Sequence, residues 1–314
     1  MSNSASSFTG VSSGYTDGTP VPADSPIRDN IADAVRRVRE TTPLAQSFTN
    51  FVTINLVVNA QLAAGGTAAM SFLPDDVIET AKIAGANYIN VGTLLPFYKD
   101  ALPEIAQRLN YLDKPWVLDP VAAGIGRTRT AILQAFKAAP PTMIRANASE
   151  VIALANMWGL NTETVGDASE HRPAGVESVD DVESATGAAV ALAQYLTEQH
   201  AKHSSHDAST RCAVAVSGIA DLVTDGETVY RLPGGSAMMT KITGAGCSLG
   251  GVAATYLAVS DPLTAALSAS LLYNRAGEVA DTTSYGPGSF QVAFLDALWN
   301  VTAEQVAESE ILVQ

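Results

Sequence analysis

The sequence predicts an α/β protein organised around a parallel sheet, and three observations predict it. Short apolar runs such as Tyr88-Ile89-Asn90-Val91 and Ala213-Val214-Ala215-Val216 alternate with segments whose apolar residues recur at helical spacing. Alternation of that kind joins neighbouring strands through helical crossovers, which suits a parallel sheet. Polar residues with chemistry to offer collect just after the strands (Asp119, Arg145, Asn147 and Ser217-Gly218), where open α/β sheets bind ligands.

Residues 1–26 are rich in Ser, Thr, Gly, Pro and Asp without an apolar run, so a flexible tail is expected there, followed by a single domain over 27–314. Ile31, Ala34, Val35 and Val38 set an amphipathic helix over 27–40, which Pro43 stops. A strand at 44–48 precedes a helix at 51–64 that Gly65-Gly66 ends. Strand 67–72 follows, and Pro74-Asp75-Asp76 opens helix 77–84. Strand and helix then alternate at 88–91 and 101–109, 116–118 and 128–138, and 142–144 and 149–156. A long helix over 182–200 leads to strand 213–216. Leu222 to Tyr230 reads as a hairpin whose Asp225-Gly226 suits the turn. From Cys247 to the end the pattern is helical, with Pro287-Gly288-Ser289 read as a turn. The unpatterned polar stretches 161–181 and 201–211 are expected to be surface insertions. Histidines in the second could take up adventitious metal, but they suit a solvated loop.

A net charge of −14 with a pI near 4.6 disfavours nucleic acid or an anionic membrane as partner, because both require basic patches. Residues 41–74 carry no charge and are numerous enough to cross a bilayer. Gln46, Asn50, Asn55, Asn59, Gln61 and Gly65-Gly66 nevertheless make a lipid-spanning helix a poor reading. Two cysteines, Cys212 and Cys247, and no signal-peptide pattern in the first 26 residues suit a reducing cytoplasm.

The most informative motif is Thr243-Gly244-Ala245-Gly246-Cys247-Ser248, followed at once by a long apolar run. Glycines one residue apart bare backbone N–H groups at the start of a helix, whose dipole adds positive potential: an anion hole for a phosphate. Cys247 sits within it, either as a thiol poised toward thiolate or as a small buried residue. Asp119-Pro120 offers a carboxylate that could hold Mg²⁺ through water, or simply initiates a turn. Arg145 could clamp phosphoryl oxygens. Asn147 and Glu150 either organise a metal or form a helix capping box. Ser217 could bond a nucleotide, or end a strand unremarkably. No Gly-x-x-x-x-Gly-Lys loop, protein-kinase catalytic loop or early Gly-x-Gly-x-x-Gly occurs.

Longer matches narrow this. Pro43 to Asn50, Asn55, Asn59, Gly65-Gly66-Thr67-Ala68-Ala69-Met70, Asn90-Val91-Gly92-Thr93-Leu94 and Trp116 to Val121 occur in order. Ile144 to Glu150, Thr243 to Cys247 and Gly286-Pro287-Gly288-Ser289-Phe290 complete the set. Together they resemble the hydroxyethylthiazole kinase family over roughly 27–300. The resemblance implies a ribokinase-like three-layer sandwich, a mostly parallel sheet with helices on both faces. It also implies MgATP-dependent phosphorylation of the hydroxyethyl side chain of the thiazole moiety of thiamine, in salvage, by a homotrimer with active sites between subunits. By the same resemblance Met70 and Gly244 contact the thiazole and Asn50 lies nearby. Arg145 and Ser217, with Asn147, serve ATP, and Asp119 and Glu150 serve Mg²⁺. Cys247 takes the place of a catalytic aspartate, as a weak base beside the Gly244, Ala245, Gly246 and Cys247 amides. Ser217 stands where the family usually has threonine, and Ala122-Ala123 replaces a commoner glycine-containing sequence. The competing readings are a pyrimidine- or pyridoxal-type kinase of the same superfamily, a non-catalytic thiazole-binding protein and an ATP-dependent dehydratase. Cysteine in place of aspartate and the Thr49-Asn50 segment disfavour the first; the kept Asp119, Arg145, Asn147 and Glu150 disfavour the second.

Overall fold

The computed structural model describes residues 18–160, 182–203 and 210–314. The insertion expected at 161–181 and most of the one expected at 201–211 therefore lie outside the described residues, as does the tail before residue 18.

Ten strands form one sheet: β1 (Thr19–Pro20), β2 (Leu44–Phe48), β3 (Thr67–Met70), β4 (Ala86–Asn90), β5 (Trp116–Asp119), β6 (Met143–Asn147), β7 (Ala213–Ser217), β8 (Ala220–Thr224), β9 (Val229–Pro233) and β10 (Leu312–Val313). Their order is β1-β10-β9-β8-β7-β6-β5-β4-β2-β3. From β3 to β7 all pairings are parallel, while β8, β9, β10 and β1 extend the sheet antiparallel. The helices are α1 (Pro26–Thr41), α2 (Ile54–Ala63), α3 (Pro74–Ile83), α4 (Tyr98–Tyr111), α5 (Arg127–Phe136), α6 (Ala148–Trp158), α7 (Thr186–His203), α8 (Ala245–Leu257), α9 (Pro262–Thr283), α10 (Pro287–Asn300) and α11 (Ala303–Ala307).

Strand pleating sorts these into three layers, since successive side chains point to opposite faces. Tyr88, Val117, Met143 and Ala213 enter one core with α1, α2 and α8 to α11. Their neighbours Ile89, Leu118, Ile144 and Val214 enter the other with α3 to α7. Both faces are covered, so the strands read as continuous apolar runs. Among the described residues no helix is long and apolar enough to cross a membrane, and the charge-free stretch folds into β2, α2 and β3.

Four expectations need correction. The ordered chain begins before residue 27: β1 pairs with β10, Val21 is buried, and Val21 N–H donates to Ile311 O at 2.8 Å. Arg28 secures that junction, donating to the carbonyls of Val21, Pro22, Ala307 and Ser309. Pro287 begins α10 instead of making a turn, its fixed φ and missing N–H being tolerated in a first helical turn. Ala201 to His203 belong to α7, not to an insertion. The chain closes on β10 rather than on helix.

One contact sets the position of α8. A Cβ on Gly250 would lie 2.3 Å from the Tyr88 ring, and one on Gly251 would lie 2.8 Å from Val57 Cγ1. The helix can rest this close to β4 and α2 only because both side chains are absent. Gly250→Ala is therefore expected to cost about 1–3 kcal/mol by overpacking. Urea unfolding measures it, and an unchanged midpoint would contradict this seating of α8.

Candidate active site

Five strand ends meet below the N-terminus of α8. Asn50 follows β2, Asn90 ends β4, Asp119 ends β5, Asn147 ends β6 and Ser217 ends β7. Register aligns Asn90 with Asp119 and Asn147 with Ser217. Parallel pairing thus places side chains distant in sequence on one rim.

Asp119 has no exposed surface. Its Oδ2 accepts from Tyr88 Oη at 2.9 Å and Asn90 Nδ2 at 3.0 Å, with Arg145 Nη1 at 3.8 Å. Its Oδ1 is buried with no hydrogen-bond partner. Burial lifts the Asp119 pKa above the ordinary value, against the pull of Arg145, Tyr88 and Asn90. Burial also works against the Arg145 guanidinium, but Asp119, Glu150, Tyr88 and Cys247 hold its pKa above the usual value. Arg145 Nη2 donates to Ser217 Oγ at 2.7 Å, while its buried Nε has no partner. The centre therefore holds an unsatisfied acceptor and an unsatisfied donor on opposite charges.

Glu150 and Asn147 adopt the capping-box arrangement. Asn147 Oδ1 accepts the Glu150 N–H at 2.9 Å, and Glu150 Oε2 accepts the Asn147 N–H at 3.0 Å. Such a cap stabilises a helix by about 1 kcal/mol. Glu150 Oε1 takes the Ala122 N–H at 2.9 Å, and Ala122 sits at φ 58, a left-handed backbone that glycine adopts more readily. Burial, then Asp119, raises the Glu150 pKa to about 7. No group of three or more His, Cys, Asp or Glu that could hold a metal occurs among the described residues. The free Asp119 Oδ1 nonetheless fits a hard cation, which commonly takes one or two carboxylates and completes its shell with phosphate and water.

The late glycine loop forms the roof. Gly244 caps α8 at φ 88, and a Cβ there would meet Thr53 at 2.8 Å. Among the described residues no acceptor takes the N–H of Ala245, Gly246 or Cys247. A Cβ on Gly246 would approach Arg145 Nη1 to 2.6 Å, so glycine lets the guanidinium lie directly under these amides. Three free amides, a helix dipole and a partly satisfied guanidinium can receive a phosphoryl group. Cys247 Sγ accepts from Asn90 Nδ2 at 3.2 Å and Asn50 Nδ2 at 3.7 Å. Burial, then Asp119, pushes the thiol pKa up to about 11, despite Arg145, Thr53 and Asn90. Of the two readings of Cys247, burial beside Asp119 favours the thiol over the thiolate.

Met70 lies half-buried at the end of the edge strand β3, opposite Ser47 and packed against the core shared with α2 and α8. Sequence reasoning assigned no role to Tyr88, Asn90, Thr53 or Asp221. Asp221 Oδ1 accepts the Gly218 N–H at 2.9 Å and so fixes the turn presenting Ser217. Gly218 admits no side chain, since a Cβ would lie 2.0 Å from Val182 Cγ2. A carboxylate three residues after Ser-Gly, near the start of a mostly apolar strand, was the sequence hint.

A mostly parallel sheet between helical layers, with a glycine-capped helix over its strand ends, defines a ribokinase-like α/β protein. The solved structure of a hydroxyethylthiazole kinase protein from Pyrococcus horikoshii OT3 superposes with a TM-score of 0.76 at 27% identity. It covers 91% of this chain and 99% of that one. Hydroxyethylthiazole kinase from Bifidobacterium longum is 99% identical over 314 residues, 100% of both chains. That of Bifidobacterium adolescentis is 68% identical over 286 residues, 91% of this chain and 95% of its own. Residues 35–304 match the hydroxyethylthiazole kinase family, and the chain belongs to it.

Asp221 yields a pH signature. Burial raises its pKa from 3.8 to about 6, against the Gly218 N–H, Arg145 and Asn274. The folded form therefore binds a proton that the unfolded chain has released. That contribution is present below the unfolded value and lost as pH rises through about 6. Relative to Asp221→Asn, the wild type is expected to lose up to about 3 kcal/mol between pH 4 and 7. Urea unfolding at both pH values reads this, and parallel pH profiles would contradict it.

Proposed function

We propose that this chain transfers the γ-phosphoryl group of ATP to the hydroxyl of 4-methyl-5-(2-hydroxyethyl)thiazole, the salvage step that returns thiazole to thiamine synthesis. The observation that carries the reading is the row of unpartnered amides at Ala245, Gly246 and Cys247 beside the unpartnered Arg145 Nε. Family membership and the name of the 99% identical relative support the substrate.

In the step, the bond from the γ-phosphorus to the β,γ-bridging oxygen breaks and a new bond forms to the alcohol oxygen. ADP, a phosphate monoester and the alcohol proton result. The transition state is loose, so positioning and charge stabilisation do most of the work. The α8 amides and Arg145 meet the equatorial oxygens, while Ser217, held by Arg145, and Asn147 line the nucleotide side. Cys247 is a neutral thiol at rest. It hydrogen-bonds the alcohol and serves only as a weak, late proton acceptor, once bonding to phosphorus has made that proton acidic. Mg²⁺, when bound, neutralises phosphate charge, and Asp119 Oδ1 and Glu150 would hold it, partly through water.

The reading includes a homotrimer with active sites between subunits. Phe51, Val52, Leu62 and Leu73 are exposed apolar residues on the segments flanking the edge strand β3. A second copy against that edge would bring Met70, half-buried at the sheet edge, to a neighbour's thiazole, with Gly244 and Asn50 on the facing side. Sedimentation equilibrium is expected to return three chain masses. Free Cys212 and Cys247 suit the reducing cytoplasm.

Coupled ADP release tests the activity: it is expected to require hydroxyethylthiazole and Mg²⁺ together. ATP turnover indifferent to the thiazole, or thiazole binding with no ATP consumption, would overturn the reading. Arg145→Ala is expected to lower kcat by about 100- to 1000-fold, and Cys247→Ala by less than the roughly 100-fold at which the contribution of a full general base starts. Cys247→Asp stays active, because the amides of Asn50 and Asn90 already point at that position. The reverse ranking of Arg145 and Cys247 would contradict the mechanism.

A further inference from the structure

Asn90 is 2% exposed and is hydrogen-bonded to five residues around the site. Its Oδ1 accepts from Asn50 Nδ2 at 3.0 Å and from the Gly92 N–H at 2.9 Å. Its Nδ2 lies 3.0 Å from Asp119 Oδ2, 2.9 Å from Tyr88 Oη and 3.2 Å from Cys247 Sγ. An amide nitrogen has two hydrogens. One therefore serves the Asp119–Tyr88 pair and the other the sulfur.

Asp119 arrives on β5 and Cys247 on α8, and Asn90 is hydrogen-bonded to both. On the carboxylate it joins Tyr88 at Oδ2, which leaves Oδ1 as the free oxygen. On the sulfur it occupies a lone pair from the sheet side, which leaves the thiol hydrogen as the free valence. The loop behind it is held firmly. Arg129 donates from Nε to Val91 O at 3.0 Å, from Nη2 to Gly92 O at 2.6 Å and from Nη1 to Ile125 O at 2.8 Å. A Cβ on Gly92 would lie 2.8 Å from both Asn50 Nδ2 and Asn90 Oδ1, so the two amides pack through a space that only glycine leaves.

Resting on the phosphoryl-transfer reading above, we propose that Asn90 is a positioning residue: its two amide hydrogens hold the Asp119 carboxylate and the Cys247 sulfur in fixed orientation. Asp119 Oδ1 and the thiol hydrogen are thereby the groups left to meet ligands. The charged and titratable neighbours of the sulfur are Tyr88 from β4, Asp119 from β5, Arg145 from β6 and Tyr273 from α9. The other amide at the sulfur, Asn50 Nδ2, is farther away at 3.7 Å and also donates to Asn90 Oδ1.

The test uses the full-length protein with Asn90→Leu, which keeps the bulk and removes both donors, and Asn90→Ser, which restores one. Asn90→Leu is expected to lower kcat about 100-fold with the KM for ATP within about twofold, and Asn90→Ser to fall between. In a Cys247→Ala background, Asn90→Leu should cost at least about threefold less, because one of its two partners is gone. Iodoacetamide labelling of Cys247, read by peptide mass spectrometry from pH 7 to 10.5, needs no turnover. At pH 9 the rate in Asn90→Leu should drop about threefold or more, since the sulfur has lost a donor. Additive kcat effects, or an unchanged labelling profile, would overturn the proposal. If Asn90→Leu does not fold, Asn90→Ser decides both comparisons. If the wild type shows no thiazole-dependent ADP release, the kinase reading fails, and the labelling profile still settles whether Asn90 holds the thiol.

Discussion

A carboxylate and a guanidinium buried side by side, neither fully satisfied by the protein, govern this molecule. Desolvating two charges costs several kcal/mol each unless attraction and hydrogen bonds compensate. Asp119 and Arg145 are compensated only in part, by a 3.8 Å ion pair, Tyr88, Asn90 and Ser217. One acceptor, Asp119 Oδ1, and one donor, Arg145 Nε, are left over. A cation beside the first and an anion beside the second would complete what the fold leaves incomplete, and a metal–nucleotide complex brings both.

The surrounding architecture holds that pair in place. Parallel strands bring residues 90, 119, 145 and 217 to one rim although the sequence separates them widely. Gly250 lets α8 settle onto Tyr88, and Gly246 lets Arg145 slide beneath the first turn of α8. Absent side chains thus align the amide row with the charged pair. The Glu150–Asn147 cap and the Ala122 N–H anchor the loop after β5 to the start of α6, so the Glu150 carboxylate serves local structure whatever else it binds.

The layered sheet was legible because its strands are short, apolar and separated by helices of clear periodicity. Strand-end chemistry was legible for Asp119, Arg145 and Ser217, since each polar residue follows an apolar run. The Gly244 loop was legible because glycine spacing before a helix has few purposes. Tyr88 and Asn90 were not, because they fall inside a strand pattern, where a tyrosine reads as core and an asparagine as noise. Their partners come from other elements: Asp119 on β5 and, for Asn90, Cys247 on α8, which arrives more than 150 residues later. The thiol's state stayed open for a related reason: the helix terminus is visible in sequence, whereas burial beside Asp119 is not. Pro287 was read as a turn because Gly-Pro-Gly-Ser mimics one, while the packing of Phe290 and Phe294 that makes it a helix start is tertiary.

Met70 lies on the open edge of the sheet, where the proposed assembly would place it against a second copy. The central claim, that the first turn of α8 receives the migrating phosphoryl group, is tested most directly by a crystal structure with MgADP, aluminium fluoride and the thiazole alcohol. The account predicts fluoride ligands within about 3 Å of the Ala245, Gly246 and Cys247 nitrogens, with Arg145 Nε on the same group. An aluminium fluoride moiety bound elsewhere, with those amides still facing solvent, would contradict it.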